Sequence, residues 1–210
     1  MTASRVIERA CPVCSDGFLD PSTYAYLFGL YLGDGCLSRQ GINSWKLRIV
    51  QDARYPLLIS QCADAIAEIL GEQRVRYIDR RSYVEIHASW SHWHCLFPQH
   101  GVGPKHLRRI QLSPWQRCLL EGHEKQLIAG LIHSDGSFHF NRVVRQLKTG
   151  PKVYKYSRYQ FANNSDEIRK IFTDALETLA IPWTSGGHKT VSVARRQDVA
   201  FMGSFVPNKD

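Results

Sequence analysis

The segment Leu27-Phe28-Gly29-Leu30-Tyr31-Leu32-Gly33-Asp34-Gly35 recurs 101 positions later as Ile128-Ala129-Gly130-Leu131-Ile132-His133-Ser134-Asp135-Gly136. Both copies are apolar nearly all round, so each predicts a buried helix. Each copy also carries two small residues four positions apart, namely Gly29 with Gly33 and Gly130 with Ser134. That spacing lets two helix backbones approach closely. Because no stretch is long and apolar enough to span a membrane, the expected partner of each helix is the other copy.

The repeated aspartates are the candidate chemical site. Parallel packing of the two helices would bring Asp34 and Asp135 together at one end of the pair. Two adjacent carboxylates at helix C-termini repel each other and oppose the helix dipole. A divalent cation removes this conflict, because Mg²⁺ and Ca²⁺ take carboxylate and water oxygens. We therefore predict a metal site at Asp34 and Asp135 with the adjoining Gly33 and Ser134, where the metal can activate water.

A single Gly-Asp-Gly segment would be interpreted as a helix-ending turn, which aspartate favours. Two copies with matched helices and matched downstream strands disfavour that interpretation. The sequence after each copy alternates like a half-buried strand, continues into an amphipathic helix and ends in two more strands and a short helix. The first half places these strands over 45–51, 74–78 and 83–87 and its long helix over 56–70. The second half places a strand over 152–161, a helix over 166–179 capped by Ser165, and a last helix over 197–205.

These patterns predict an α+β fold made of two pseudo-symmetric repeats. We divide the chain into an N-terminal arm (1–20), a first repeat (21–100), a basic connector (101–124) and a second repeat (125–210). The chain has 210 residues, of which 43% are hydrophobic, and this is enough for a well-formed core.

The two copies resemble the signature helices of the LAGLIDADG homing endonucleases, and the second copy, Leu-Ile-Ala-Gly-Leu-Ile-His-Ser-Asp-Gly at 127–136, is very similar. The resemblance implies a monomer of two αββαββα repeats, with the signature helices at the interface and saddle-shaped antiparallel sheets facing DNA. It implies Mg²⁺-dependent cleavage of both strands at a long, specific site, leaving 3′ overhangs, with Mn²⁺ or Ca²⁺ able to replace Mg²⁺ in binding. The family's acidic residue falls on Asp34 and Asp135.

Further catalytic residues follow from the same resemblance. The family's amide side chain at the end of the second strand falls on Gln51 and on Asn163. Its basic residue near the end of the fourth strand falls on Arg195 or Arg196 in the second repeat. The first repeat has Ser89-Trp90 there, with His87 nearby, and this departure leaves open whether both DNA strands are cut equally. The chain is also short for a two-repeat member, which implies a smaller footprint on DNA.

The net charge of +8 and the pI of about 9.3 favour an acidic partner, and nucleic acid is the commonest one. Strands in the major groove read guanine with arginine or lysine and adenine with amides. By alternation, the outward side chains are those of Lys46, Arg48, Arg74, Arg76, His139, Asn141, Lys152, Tyr154, Tyr156 and Arg158. Hairpin tips add Arg39, Gln40, Arg80, Arg81, Arg145 and Lys148, and the connector adds Lys105, Arg108 and Arg109. Any single one is better explained by a phosphate contact or a solvated charge than by base recognition, and the connector residues are assigned to phosphate contacts.

Cysteine spacing gives a second, weaker motif. Cys11-Pro12-Val13-Cys14 has the spacing of half a structural zinc site, and His92, His94 and Cys95 are the only nearby cluster that could complete it. The preferred interpretation is reduced thiols in a loose N-terminal arm, with zinc as the alternative. A redox motif is disfavoured because no βαβ pattern surrounds it.

Two functions remain open at this stage. The leading one is a site-specific DNA endonuclease, and the alternative is a DNA- or RNA-binding protein, a transcription regulator or maturase, that keeps the scaffold without cutting. The presence of both aspartates favours catalysis. The polar N-terminus lacks the apolar core of a signal peptide, so we expect a protein of the cytoplasm, or of an organelle or nucleoid that holds its DNA target, and not a secreted one.

Overall fold

The computed structural model describes residues 10–207 and residue 209. Within them the helices are α1 (Pro21–Gly33), α2 (Pro56–Leu70), α3 (Trp93–Leu96), α4 (Pro114–Leu120), α5 (Glu124–Asp135), α6 (Asp166–Thr178) and α7 (Arg196–Gly203). The strands are β1 (Gly35–Arg39), β2 (Trp45–Asp52), β3 (Arg76–Asp79), β4 (Tyr83–Trp90), β5 (Gly136–Leu147), β6 (Gly150–Ala162), β7 (Thr184–Ser185) and β8 (Thr190–Val193). None of these helices has the length and apolarity needed to cross a membrane.

The strands form two antiparallel sheets of four, one in each repeat. Their orders, β1-β2-β4-β3 and β5-β6-β8-β7, are equivalent. The registers match too, because Gly35 pairs with Ile49 in the first sheet and Gly136 pairs with Phe161 in the second. The predicted α+β fold with two αββαββα repeats is therefore confirmed.

The two repeats meet where α1 packs on α5, which we call the helix interface. A Cβ added to Gly130 would lie 2.2 Å from the carbonyl oxygen of Tyr26, and one added to Gly29 would lie 2.6 Å from that of Leu127. Nearer the helix ends, a Cβ on Gly33 would lie 2.1 Å from Ser134 Oγ. Because Gly29 faces Gly130 and Gly33 faces Ser134, the helices run parallel, as the small-residue spacing predicts.

The inner face of each sheet is covered by its long helix, and the buried strand residues alternate as predicted. In β2, Leu47 and Ile49 are fully buried, whereas Lys46 and Arg48 lie on the opposite side. In the second repeat, Phe161 packs on Phe172 of α6, with ring centroids 4.5 Å apart. Ser165 caps α6 by accepting a hydrogen bond from the Ile168 nitrogen, which confirms the predicted cap.

Local structure differs from the sequence prediction at several places in both repeats and the connector. The third strand starts at Arg76, because Arg74 belongs to a short 3-10 turn that ends the α2 connection, so Arg74 is not a strand residue. The basic connector is also more ordered than predicted. It contains α4, whose capping box joins Ser113 to Gln116, and a 3-10 turn that begins at Lys105.

Gln116 explains why the connector is held firmly. Its buried side-chain nitrogen donates to the hydroxyl of Tyr24 at 2.7 Å, and that hydroxyl donates to the carbonyl oxygen of Leu96. This buried polar network joins α4 to both α1 and α3, so the connector packs against the first repeat.

Candidate active site

Both signature helices end at their aspartate because the next residue is a glycine. A Cβ on Gly35 would lie 2.5 Å from the Cα of Tyr31, and a Cβ on Gly136 would lie 2.5 Å from the Cα of Ile132. Only glycine lets the following strand turn back this closely against the helix. The same local device therefore places Asp34 and Asp135 at equivalent positions, where helix ends and strand begins.

The two carboxyl groups face the same space. Asp135 Oδ2 lies only 3.2 Å from the point that a Cβ on Gly33 would occupy. Burial and the charge of Asp135 together raise the pKa of Asp34 to about 6, against the opposing charges of Lys105 and Lys209. Asp34 nevertheless has a large solvent-exposed fraction, so protein atoms enclose it on some sides only. Burial also raises the pKa of Asp135, against the opposing effects of an Asn163 hydrogen bond and of two lysines.

Those lysines are Lys105 and Lys209, and each binds the carbonyl end of one signature helix. Lys105 Nζ donates to the carbonyl oxygens of Tyr31, Leu32 and Gly33, at 3.0 Å for Leu32 and 2.9 Å for Gly33. Lys209 Nζ donates to those of Gly136 at 2.7 Å and Ser134 at 3.4 Å. Burial lowers the pKa of both ammonium groups, that of Lys105 to about 8.

Sequence reasoning missed this arrangement. It assigned Lys105 to phosphate contacts and gave Lys209 no role, although each lysine follows the last helix of its repeat. That shared position is the signal that could have identified the pair. Arg195, in contrast, pairs with Asp198 at 3.1 Å. In the described residues no contact joins Arg195 or Arg196 to the carboxyl pair, and their catalytic role stays a prediction.

The amide side chains predicted at the site occupy equivalent register positions, two residues beyond Ile49 in β2 and two beyond Phe161 in β6. Asn163 donates from Nδ2 to Asp135 Oδ2 at 2.5 Å, and its Oδ1 accepts from the Ser165 nitrogen. Gln51 is buried, and its Nε2 has no hydrogen-bond partner among the described residues. A buried donor without a partner is costly, so this atom is suited to a bound water or phosphate oxygen.

The residues present fit a divalent cation. The donors are oxygen atoms, two carboxylates and the neighbouring carbonyls of Gly33 and Ser134, which are the ligands that hard cations prefer. Those carbonyls also accept hydrogen bonds, that of Gly33 from Lys105 and that of Ser134 from Lys209.

A cleft of about 500 Å³ opens beside the carboxyl pair, and Asp135 lines it together with the two glycines that flank Asp34. Its lining includes Gly33 and Arg48 from the first repeat, Asp135 and Asn163 from the second, and Lys105 from the connector. A polymer lying across both sheets would pass this cleft.

The solvent side of each sheet, opposite the helices, is called its open face. On the first, Cys36, Arg48, His87 and Arg76 form one cross-strand row, which confirms the outward positions of both arginines. Glu85 lies close to Lys46 and Arg48, at 3.7 Å and 3.9 Å, and partly neutralises them.

The hairpin tips of the first sheet also carry the predicted side chains. Arg39 donates hydrogen bonds to carbonyl oxygens of its own hairpin, and Gln40 accepts one from Ser89. Arg80 and Arg81 are exposed in the β3–β4 turn.

The open face of the second sheet has stronger basic and aromatic character. The register puts His139 beside Arg158 and Asn141 beside Tyr156, on the side predicted to face outward. Arg145, predicted at the hairpin tip, instead lies within β5 beside Lys152, because the strands extend almost to the turn. The rings of Tyr154 and Tyr156 stack 6.1 Å apart, and Arg145 and Lys152 each hold their charge over Tyr154. Lys148 lies in the hairpin turn. In the connector Arg109 is exposed, whereas Arg108 is partly buried against Tyr31.

Comparison with protein-family models finds no match for this sequence, and comparison with curated proteins finds none either. Solved structures do match. Variants of the homing endonuclease I-DmoI are 18% identical, with a TM-score of 0.58 over 89% of this chain and 96% of theirs. The LAGLIDADG meganuclease I-AabMI bound to uncleaved DNA is 11% identical, with a TM-score of 0.53 over 87% and 82%.

A third similar structure is the I-SmaMI LAGLIDADG homing endonuclease bound to cleaved DNA, at 10% identity and a TM-score of 0.52 over 91% of this chain and 84% of that one. These similarities span both repeats and extend over most of each known chain. Together with the paired helices that end at Asp34 and Asp135, they identify the fold. This chain has the two-repeat fold of the LAGLIDADG homing endonucleases.

Proposed function

We propose that this protein is a monomeric, site-specific double-stranded DNA endonuclease that hydrolyses one phosphodiester bond in each strand and leaves 3′ overhangs. The observation that carries the proposal is the pair Asp34 and Asp135, which lie side by side where the two packed signature helices end. Structurally similar proteins support it, since I-DmoI has been solved with DNA and Mn, and I-SmaMI with uncleaved DNA and calcium ions.

Asp34 and Asp135 would hold the divalent cation, Mg²⁺ in our proposal. Such an ion supplies a Lewis acid for the phosphate and lowers the pKa of bound water. Gln51 and Asn163 would orient the attacking water through their amide groups. Lys105 and Lys209 would offset the negative charge that gathers when DNA phosphate approaches the two carboxylates.

The open faces would hold the DNA. Arginine, lysine and tyrosine on two-stranded ribbons match the width of the major groove, and the cation-flanked tyrosines of β6 offer both charge and stacking area. The longer β5–β6 hairpin gives the second repeat the larger share of this surface.

The direct test is cleavage of a randomised or native-locus DNA library with Mg²⁺, comparing wild type with Asp34→Asn and Asp135→Asn. We expect specific cuts by the wild type, and loss of cutting or nicking only in the two variants. Asp174→Asn, an exposed carboxylate on α6 that pairs with Lys170, is the matched control and should cut normally. Salt-sensitive binding without any cutting in Mg²⁺ or Mn²⁺ would instead indicate a non-cutting DNA- or RNA-binding protein.

A further inference from the structure

The segment before α1 is anchored to the first repeat at Cys11. Cys11 is 1% exposed and belongs to the hydrophobic core, so the prediction of a loose arm is wrong at this residue, although Val13, Cys14 and Phe18 are exposed, and residues 1–9 lie outside the described part of the chain. The backbone N–H groups of Val13 and Cys14 point at the Cys11 sulfur, and the Ser15 nitrogen donates to the Cys11 carbonyl at 2.9 Å. A Cβ on Gly17 would lie 2.1 Å from the Ala10 carbonyl oxygen, so the loop closes tightly on itself.

A second pair of ligating side chains sits at the start of α3, where His92 precedes the helix and Cys95 lies in it. The Cys95 nitrogen donates to the His92 carbonyl at 2.9 Å. Trp93 between them is completely buried and donates from its indole nitrogen to the Ala88 carbonyl at 3.0 Å. The core therefore holds this pair in place.

The tertiary fold brings the two pairs together. One ligand atom from each of Cys11, Cys14, His92 and Cys95 can be chosen so that all four lie within 4.8 Å of one another. His92 Nδ1 is 3.3 Å from Cys14 Sγ and 3.8 Å from Cys95 Sγ. In a tetrahedral zinc site with Zn–S of about 2.3 Å and Zn–N of about 2.0 Å, ligand atoms lie about 3.5 to 3.8 Å apart.

We propose that Cys11, Cys14, His92 and Cys95 form a structural zinc site. Three sulfurs and one imidazole nitrogen in a compact cluster suit Zn²⁺ and do not suit the hard cations expected at Asp34 and Asp135. Four protein ligands leave no open coordination position, so this zinc has no catalytic part. His94 lies beside the cluster, and its ring packs against Trp45 with centroids 5.6 Å apart.

The position in the fold indicates what the zinc does. Tyr24, near the start of α1, bonds to the Leu96 carbonyl at the end of α3, whereas Asp34 follows the other end of α1. A helix of 13 residues is about 20 Å long, so the two metal sites are well separated. Zinc would fasten the N-terminal segment to the end of the first sheet and so stabilise the repeat that supplies Asp34.

The test is the metal content of the full-length protein, purified in reducing buffer without added metal. We expect about one zinc per chain in the wild type and in Asp34→Asn, and a loss of most of it in Cys14→Ser and His92→Ala. Cys118→Ser is the matched control, because this exposed cysteine lies on α4 outside the cluster, and it should keep its zinc.

Two further measurements distinguish the loss of a zinc ligand from misfolding of the variant. Cys14 is exposed, so Cys14→Ser should fold, and a circular dichroism spectrum like that of the wild type would show this. Replacement of zinc by Co²⁺ should give the visible absorption of tetrahedral thiolate-bound cobalt in the wild type and not in Cys14→Ser. Wild-type protein that contains no zinc, and that takes up no more added zinc than Cys14→Ser does, would overturn the proposal.

Discussion

Asn163 donates a hydrogen bond to Asp135, whereas Gln51, at the equivalent position of the first repeat, has a buried amide nitrogen without a partner among the described residues. The two halves of the candidate site are therefore symmetric in backbone and asymmetric in hydrogen bonding. Asp135 has a carboxylate stabilised by a neighbouring amide, and Asp34 has a carboxyl with a pKa raised to about 6.

This asymmetry predicts unequal effects of the two amides on metal binding. Asn163→Ala should raise the pKa of Asp135, since a hydrogen bond to a charged group contributes roughly 1.5 to 3 kcal/mol. Calcium affinity, measured by calorimetry, should then fall several-fold more at pH 6 than at pH 8. Gln51→Ala is the control and should keep the wild-type pH dependence of binding. Identical pH profiles for all three proteins would mean that the hydrogen bond does not set the pKa of Asp135.

Loss of the Asp34 carboxylate should stabilise the protein while it abolishes cleavage. A pKa raised in the folded state means that ionisation opposes folding at neutral pH, so Asp34→Asn removes an unfavourable charge. Because Asp34 is partly solvated, we expect a gain of only about 1 kcal/mol at pH 7 in denaturant unfolding. The gain should shrink as the pH falls below 6 and the wild-type carboxyl takes up its proton. Asp174→Asn should show no gain, and a destabilised Asp34→Asn would contradict the electrostatic account.

His133 should make the helix interface sensitive to acid. It is buried between the Tyr26 hydroxyl at 2.9 Å and the Pro207 carbonyl at 3.0 Å, and burial lowers its pKa to about 4. The unfolded chain then binds more protons than the folded one between about pH 4 and 6.5, so stability is present above this window and is lost as the pH falls through it. His133→Gln should flatten the dependence of the melting temperature on pH over that window. A curve as steep as that of the wild type would exclude His133 as its cause.

Close contact at the helix interface should be intolerant of a single methyl group. Gly130→Ala would place a Cβ against the Tyr26 carbonyl oxygen, which is backbone and cannot move without separating the repeats. We expect a loss of about 3 kcal/mol or more in the free energy of unfolding, at the upper end of overpacking effects. Gly186→Ala is the control, because its nearest neighbour would be a Thr190 methyl at 3.4 Å. Equal stability of the two variants would mean that the helices do not pack as described.

Binding to duplex DNA should depend strongly on salt. The open faces carry their charge mainly on arginine and lysine, and each phosphate contact releases counterions when it forms. Lys152→Ala should weaken binding and reduce the slope of log K against log salt concentration by about 1. Lys170→Ala, on the outer surface of α6 and paired with Asp174, should leave the slope unchanged. A wild-type affinity that does not change with salt would exclude the basic faces as the DNA-binding surface.

Much of the fold could be predicted because its signals are local and occur twice. Apolar helices with small residues four apart, glycines after each aspartate and alternating strands act through neighbouring residues, so Asp34 and Asp135 could be placed at helix ends. Gln51 and Asn163 are assigned through the family resemblance. A single Gly-Asp-Gly segment would indicate only a helix-ending turn. The second copy indicates a paired site, because two equivalent helices with small residues four apart can pack closely in parallel and bring their aspartates together.

The tertiary structure decided the contacts between segments that lie far apart in the chain. Lys105 and Lys209 each follow the last helix of their repeat, but their contacts with the helix ends form only when the connector and the C-terminal segment fold back over the helix interface. The sequence identified Cys11, Cys14, His92 and Cys95 as candidate zinc ligands, but only the tertiary fold shows that the two pairs meet, with Trp93 buried in the core between His92 and Cys95. The sequence repeat therefore determined the paired aspartates and the two-repeat architecture. Long-range packing determined which lysine side chains contact the helix ends and which cysteine and histidine side chains come together.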